Sequence, residues 1–526
     1  MKENQAKFVW PELINPWKKT SPPVKTAFLS ACFLGVLTHI YIFTNLLLNH
    51  DSVWRLFYDN ANLGLGRWSL QFFSEFSTRF QLPVVIAVIS ILMLALTAGV
   101  TVSVLDITNK VTAVLTSAFL VTIPTVACIF SYMFTADAYF ICLFLNALAV
   151  YMAKNYKWGW GPAVILCTLA CGGYQAFICY AIGLFLMDCI LELFTDKPIE
   201  QIIKRGLIYI GIIVASLVFY YLIMMVLLAV KGMTLSSYQG FDTVNPLDFA
   251  GFFSKIPQAS KAFWEYFRAS PFSTRFYQVI QVLFLFLAGG AMAYLIVASK
   301  LYRNWGKGLL LLLGVCLLPL ALNFVTILVQ EGTVHALMIY SFVLLLVFSL
   351  KIVEMAMQKM IQNQSSDWLV LHFSSAVMAG LLIWNNFCVS NMAYLRLQVC
   401  YENSFALANR IVARIEELDG YSAQFPVAVV GEASWDLYGG TVEKFAQINS
   451  LTGTNDRLLY SIEPHIRTRT FIEHYIGLHM PSLNREQKEL LNNSDQIKEL
   501  PSYPQSGSIV IYDGIIVVKL SDGAIR

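Results

Sequence analysis

Long apolar runs separated by short polar segments fill the chain as far as about residue 390. A helix needs about 20 apolar residues to cross a bilayer. Eleven stretches approach or reach that length, and Gly172-Gly173 divides the fifth from the sixth. They lie at residues 27–48, 83–105, 111–131, 138–153, 159–173, 175–194, 206–230, 276–298, 308–329, 336–353 and 368–389. The pattern predicts an α-helical polytopic membrane protein of about eleven transmembrane helices.

Two of the segments between the spans are long and carry aromatic residues. In the first, residues 50–82, large apolar side chains recur every three or four positions, at Leu65, Trp68, Phe72, Phe76 and Phe80. This spacing predicts an amphipathic helix over 65–80 that lies in the membrane interface. The second segment, 231–275, is rich in phenylalanine, tyrosine and tryptophan. We expect it to be interfacial as well.

Beyond residue 390 the composition becomes that of a soluble domain. Residues 406–418 are predicted to form a helix and residues 425–431 a strand. Residues 508–520 have the pattern of a β-hairpin that turns at Asp513-Gly514. We therefore predict a small α/β C-terminal domain over 390–526, which follows a membrane domain over 27–389 and an N-terminal segment over 1–26.

Composition supports a membrane protein and gives no sign of a nucleic-acid partner. The chain of 526 residues is 57% hydrophobic and 13% charged, whereas soluble proteins carry about 25% charged residues. Its net charge of +3 comes from dispersed lysines and arginines rather than from a basic stripe. The apolar setting of most cysteines predicts packing thiols.

The distribution of lysine and arginine predicts how the chain is oriented. With the N-terminus inside, the cytoplasmic segments carry roughly twice as many basic residues as the external ones, as the positive-inside rule requires. An odd number of spans then places the C-terminal domain outside. The N-terminal segment of this multi-pass protein is predicted to be cytoplasmic.

Two acidic residues stand at the outer ends of different spans. Asp51 follows the first span and Asp137 opens the fourth. Ionisable groups at a membrane boundary are costly unless partners, water or a function justify them. Either carboxylate could act as a general base. Each has a structural alternative. Asp51 could cap the following helix. Thr135 could cap the fourth span, with Asp137 in the first turn, where the helix dipole stabilises a negative charge.

Five other polar residues on the same side are candidates for binding. Arg67 could hold a phosphate or could extend its guanidinium to lipid headgroups. Tyr174 and Gln175 could bond sugar hydroxyls or form a polar turn. Glu331 and His335 could bind phosphate or an acceptor, or belong to a solvated turn.

Other kinds of chemistry lack a motif in this sequence. It contains no GxSxG, Walker or dinucleotide-binding pattern. No HxxxH or aspartate-rich cluster accompanies the histidines. We expect no cofactor and no metal. Four carboxylates at the cytoplasmic ends of spans are interpreted as solvated helix termini: Asp106, Asp188, Glu192 and Glu354.

Taken together, these motifs resemble a known family. Asp51, Leu-Gly-Arg-Trp at 65–68, Ser-Tyr-Met-Phe-Thr-Ala-Asp at 131–137 and Gly-Tyr-Gln-Ala-Phe at 173–177 resemble, in order and spacing, the Gtr-type (type II) polytopic glucosyltransferases of bacteria. That family belongs to the GT-C glycosyltransferase class. The later spans resemble it in hydropathy, and the tail is similar to those of some members.

The resemblance implies a GT-C-like fold, a location in a bacterial plasma (inner) membrane and a sugar-transfer reaction. The donor would be a polyprenyl-phosphate-linked sugar, and undecaprenyl-phosphate glucose is the expected one. The acceptor would be an envelope glycan on the outer face: O-antigen, teichoic acid or another wall polysaccharide. The resemblance gives Asp51 the role of catalytic base or acceptor-orienting group. It makes Asp137 the second acidic residue and Arg67 a ligand of the donor phosphate. Asp51 is followed by Ser52, whereas some relatives have paired acidic residues.

Two other function classes are compatible with a polytopic chain. A transporter or flippase of lipid-linked sugars or other envelope precursors would use the same kind of scaffold. Transporters usually place ionisable groups and broken helices near the midplane of repeated halves, whereas these carboxylates lie at the edge and no repeat is visible. A structural component that displays the C-terminal domain is the third possibility.

Overall fold

The computed structural model describes residues 18–53, 61–236, 249–328, 334–434, 445, 448–454, 458 and 464–525. Among these residues, ten helices are long and apolar enough to span a membrane. They are α1 (Pro22–Thr44), α2 (Pro83–Val104), α3 (Lys110–Ser131), α4 (Met133–Asn155), α6 (Gln175–Glu192), α7 (Ile199–Lys231), α8 (Arg275–Ala298), α9 (Trp305–Leu322), α10 (Tyr340–Gln362) and α11 (Trp368–Glu416), with the shorter apolar helix α5 (Trp160–Gly173) between α4 and α6. Each predicted span corresponds to one of these helices, so the prediction of a polytopic helical membrane protein is confirmed.

Contacts at its two ends show that α5 passes from one face of the bundle to the other. It has 14 residues and is about 21 Å long. It begins just after α4, whose Lys154 contacts the ends of α2 and α6 through Val104 and Asp188. At its other end, the Gly172 carbonyl oxygen accepts a hydrogen bond from the Ser69 N–H (2.8 Å) in the segment that leads into α2. Within the described residues, eleven helices therefore run from one face of the bundle to the other.

An odd number of crossings separates the start of α1 from the C-terminal domain. The turn after α1 contacts that domain through Asp51 and Arg467. We call this side of the bundle the domain face and the other side the opposite face. Asp51, Arg67 and the start of α4 with Asp137 all belong to the domain face. Which face lies outside the cell stays a prediction from the basic residues.

The segment between α1 and α2 is not the single amphipathic helix predicted for 65–80. It forms short helical turns at Ala61–Leu65, Leu70–Ser74 and Glu75–Ser77. Gly66 interrupts them with a φ of +73°, and Thr78 and Arg79 are also left-handed. The break allows Ser69 to bond to α5 instead of to its own helix. Phe72, Phe76 and Phe80 are nevertheless exposed together, which keeps the expected apolar surface. Residues 54–60 lie outside the described part.

Close packing of this segment on α5 depends on Gly172. A β-carbon at Gly172 would lie 2.5 Å from the Trp68 indole. We expect Gly172→Ala to destabilise the protein by about 1–3 kcal/mol, because the ring must shift out of a packed position. Gly161→Ala on the same helix is the control, since a β-carbon there meets nothing within 4 Å. Thermal unfolding in detergent measures both. Equal unfolding temperatures for the two variants would contradict the packing role.

The second polar segment does contain an amphipathic helix, at Phe249–Arg268. Its inner face buries Ala259, Phe263 and Phe267, while Trp264 on the outer face is exposed. The helix is tied to the bundle by a hydrogen bond from the Asn323 side-chain amide to the Ala259 carbonyl oxygen (2.9 Å). The expected interfacial character fits this arrangement. Residues 237–248 lie outside the described part.

Three of the four carboxylates interpreted as solvated termini are buried, so that interpretation is wrong for them. Asp188 pairs with Lys154 (2.9 Å) and Arg205 (3.5 Å) and accepts a hydrogen bond from the Tyr209 hydroxyl (2.8 Å). Basic side chains from neighbouring helices provide the partners that a buried charge requires. Only Asp106 is exposed, at 72%. The other two buried groups are Glu192, paired with Lys197 and Arg205, and Glu354, which is bonded by Thr108.

The last span and the predicted helix at 406–418 are parts of one helix. α11 has 49 residues and is roughly 74 Å long. The sequence between Gly380 and Gly420 contains no glycine or proline that would end it. Buried positions continue at helical spacing through Ala393, Leu397 and Cys400, so the helix leaves the bundle and enters the C-terminal domain without a break.

The C-terminal domain contains a three-stranded sheet. Its strands are β1 (Val427–Val430), β2 (Ile509–Tyr512) and β3 (Ile515–Lys519), in the order β1-β3-β2. β1 pairs in parallel with β3, and β2 pairs antiparallel with β3. The hairpin turns at Asp513 and Gly514, both at positive φ, as the sequence predicts. The end of α11 and the helices Pro464–Phe471 and Arg485–Asn493 complete an α/β domain.

Candidate active site on the domain face

Asp51 lies in a tight turn just after α1. The side-chain oxygen of Asn49 organises the turn, because it accepts hydrogen bonds from the N–H groups of Asp51 (3.0 Å) and Ser52 (2.8 Å) and from the Ser52 hydroxyl (2.7 Å). The alternative that Asp51 caps a following helix concerns residues 54–60, which lie outside the described residues. The Asp51 carboxylate is 35% exposed and has His50 Nε2 at 3.5 Å and an Arg467 guanidinium nitrogen at 3.6 Å.

Two further side chains border this turn. The His50 ring meets the Tyr132 ring edge-on, with 6.0 Å between centroids. His335 opens the short helical turn Ala336–Met338. Burial lowers the pKa of its imidazole, and the nearby His50 lowers that pKa further. The fold thus places His335 within electrostatic range of His50, the neighbour of Asp51. Glu331, its predicted neighbour, lies outside the described residues.

Asp137 is fully buried in the first part of α4. The cap of that helix is Tyr132 rather than Thr135, whose hydroxyl donates to the Tyr132 carbonyl oxygen. One carboxylate oxygen of Asp137 accepts a hydrogen bond from the Ala138 N–H (2.8 Å). The other is buried with no hydrogen-bond partner among the described residues. Ser77 lies beside the carboxyl group, but its hydroxyl donates to the Ser74 carbonyl oxygen.

The two carboxylates border one continuous piece of structure. Ser77 belongs to the segment that leads into α2. Four residues later, the Gln81 side-chain amide donates a hydrogen bond to the Ser52 carbonyl oxygen in the Asp51 turn (3.1 Å). The segment from Ser77 to Gln81 therefore contacts both Asp137 and the turn that carries Asp51. A buried carboxylate with an unmet oxygen, as at Asp137, is unusual and costly.

Arg67 is held by two tyrosines. Its guanidinium donates a hydrogen bond to the Tyr139 hydroxyl (3.0 Å) and lies 5.1 Å from the centre of the Tyr174 ring. The two rings stack on each other at 4.3 Å. Tyr139 is not a candidate from sequence, because it lies two residues beyond the end of the 131–137 motif. The tyrosines fix the direction of a partly buried guanidinium, which is a group suited to phosphate oxygens.

Gln175 and Tyr174 contact protein groups in this arrangement. The Gln175 amide nitrogen donates hydrogen bonds to the Leu65 carbonyl oxygen (2.8 Å) and to the Tyr220 hydroxyl (2.9 Å). Tyr174 is buried beneath Arg67. Both residues therefore hold the Arg67 segment against α5 and α7. Contacts from either to a sugar hydroxyl stay a prediction.

No group of three or more histidine, cysteine, aspartate or glutamate side chains suited to a metal ion occurs within the described ranges. The described groups on the domain face include two carboxylates (Asp51 and Asp137), two histidines (His50 and His335) and two arginines (Arg67 and Arg467). Such a set can take up a proton from a hydroxyl and stabilise an anionic leaving group.

Comparison with known families adds one finding. A family model described as "Glucosyl transferase GtrII" matches residues 40–348, more than half of the chain. The match begins in α1 and ends in α10, so it contains Asp51, Arg67, Asp137, Tyr174, Gln175 and His335 but not the C-terminal domain. No curated protein and no solved structure matches the chain.

Proposed function

Because the chain belongs to the GtrII glucosyl transferase family and is a multi-pass membrane glycosyltransferase, we propose that it moves glucose from a polyprenyl-phosphate donor to an envelope glycan. The observation that carries the proposal is the grouping of Asp51, Asp137 and Arg67 on one face of an eleven-crossing bundle. The basic residues predict that this face is external, where such glycans are assembled.

Asp51 is proposed as the general base. Its carboxylate is more accessible than that of Asp137 and can reach a hydroxyl that approaches from water. In the reaction, the acceptor oxygen attacks the anomeric carbon of the sugar and passes its proton to Asp51. The bond from that carbon to the phosphate oxygen breaks, and polyprenyl phosphate leaves with the electron pair. A positioned base contributes typically 10²–10⁴-fold to such a step.

Arg67 is proposed to bind the departing phosphate. A guanidinium fixed by Tyr139 and Tyr174 can meet developing negative charge without reorganising, and this favours the transition state over the ground state. The polyprenyl tail must remain in lipid while the sugar reaches water. The exposed phenylalanines at 72, 76 and 80 give the neighbouring surface segment an apolar side suited to that boundary. Asp137 is proposed to bind the donor sugar with its unmet oxygen, and His335 to face the acceptor.

Purified protein with defined donors tests the proposal. We expect consumption of undecaprenyl-phosphate glucose in the presence of an envelope glycan, with free undecaprenyl phosphate as the lipid product. A nucleotide sugar alone should not support transfer, because the leaving group expected here is already a lipid phosphate. Transfer from the nucleotide sugar would contradict the donor class. Movement of the lipid-linked sugar between leaflets without any transfer would favour a flippase instead.

A further inference from the structure

The turn that carries Asp51 is built into the core of the C-terminal domain. Leu48 and Val53, on either side of Asp51, are both fully buried. They belong to the same hydrophobic cluster as Ile411 on α11 and Val429 on β1. The apolar side chains that flank the carboxylate are thus packed by the C-terminal domain rather than by the bundle.

Arg467 of the C-terminal domain reaches the same carboxylate. It belongs to the helix Pro464–Phe471, and its side chain is only 8% exposed. A guanidinium nitrogen lies 3.6 Å from Asp51 Oδ1. Holding a buried arginine against a carboxylate costs desolvation, which the pair must offset by its attraction. The domain therefore supplies a fixed charge beside Asp51 and not only a packing surface.

A second part of the C-terminal domain contacts the other candidate residues. The Thr452 hydroxyl accepts a hydrogen bond from the Ala336 N–H (2.9 Å), next to His335. Gly453, at a φ of +81°, packs so closely against Ser131 and Tyr132 that a β-carbon there would overlap them. These two residues immediately precede α4, which carries Asp137. The domain thus touches the segments that hold Asp51, Asp137 and His335.

In each of these contacts the residue supplied by the C-terminal domain lies beyond residue 348, where the family match ends. We infer that the C-terminal domain completes the active site and that Arg467 is a positioning residue for the Asp51 carboxylate. The inference rests on the proposed transfer reaction. Arg467 holds one carboxylate oxygen, which turns the other toward the acceptor hydroxyl. A base misplaced by about 1 Å can lose on the order of 10²-fold in rate.

Kinetics of Arg467 variants test the inference. We expect Arg467→Met to lower kcat by about 10–100-fold with little change in KM for the donor. The kcat of Arg467→Lys should lie between those of Arg467→Met and the wild type, because lysine keeps the charge but lacks the planar fork of donors. Arg485→Met is the matched control: that arginine is 92% exposed and pairs only with Glu489 in the described structure. It should retain wild-type kinetics.

A combination with Asp51→Glu separates positioning from a general effect on folding. If Arg467 acts through Asp51, Arg467→Met should lower kcat much less in the Asp51→Glu protein than in the wild type. A kcat loss in the double variant equal to the product of the two single losses would overturn the inference. Wild-type kcat in a folded Arg467→Met protein would overturn it as well. If that variant does not fold, unchanged kcat in Arg467→Lys would overturn it. Absence of turnover in the wild type would instead refute the proposed function.

Discussion

Replacing Asp51 with asparagine is expected to lower the rate of sugar transfer by roughly 10²–10⁴-fold while the protein stays folded. Asparagine has nearly the same shape but cannot take up the acceptor proton. The turn should survive, because its organising hydrogen bonds come from Asn49 and use the backbone of Asp51 rather than its carboxylate. Initial rates with undecaprenyl-phosphate glucose measure the loss, and thermal unfolding measures the fold.

Asp495→Asn is the control for this experiment. Its carboxylate belongs to the C-terminal domain, is 87% exposed and pairs with Lys498 on the same short helix. An exposed ion pair of this kind contributes about 0–1 kcal/mol, so the variant should match the wild type in rate and stability. Asp51→Asn protein that retained wild-type turnover would remove Asp51 from the chemistry.

Asp137→Asn is expected to slow sugar transfer without lowering the stability of the protein. A buried carboxylate with an oxygen that lacks a hydrogen-bond partner in the described structure costs folding free energy, since desolvating an ion costs several kcal/mol. Asparagine removes the charge and keeps an oxygen for the Ala138 N–H. We therefore expect an unchanged or higher unfolding temperature together with transfer slowed by at least about 10²-fold.

Both quantities can be measured on one preparation of the Asp137→Asn protein. Thr135→Val is the control, because it changes a buried polar side chain two residues away without removing a charge. It should lose less than about 10-fold in rate, as expected for a side chain outside the chemistry. A lower unfolding temperature for Asp137→Asn would mean that the carboxylate serves the fold. Wild-type turnover would exclude it from the reaction.

The membrane architecture could be predicted from sequence because each span must satisfy a local requirement. Enough apolar residues must follow one another to cross the bilayer, and this is visible at every span, including the short α5. The β-hairpin was predictable for the same reason, since Asp513-Gly514 specifies its turn locally. The single helix α11 was missed because a change in composition was interpreted as a change in structure.

Features that depend on distant contacts could not be predicted in the same way. Spacing alone could not show that Ser69 would leave the helix at 65–80 to bond with Gly172. Nor could the terminal position of Asp188 show that Lys154 and Arg205 would enclose it. In these places a tertiary partner overrides the local pattern.

The residues of the candidate site also fall into these two groups, one predictable from local sequence and one dependent on distant contacts. Asp51, Asp137 and Arg67 could be proposed because each stands in a recognisable local motif. Tyr139 and Arg467 could not, since their importance comes from what they touch. Arg467 in particular belongs to a helix whose sequence carries no sign of a membrane neighbour. Only the folded C-terminal domain brings it to Asp51.

The continuous helix α11 has a mechanical consequence for the whole molecule. A helix advances by 100° and 1.5 Å with every residue, so its length sets both the height and the rotation of whatever it carries. One residue added between the bundle and the sheet would swing Arg467 far around the helix axis and away from the Asp51 turn, although neither residue had changed. The number of residues in α11 between the bundle and the sheet therefore sets both the distance and the angle between them, in steps of one residue.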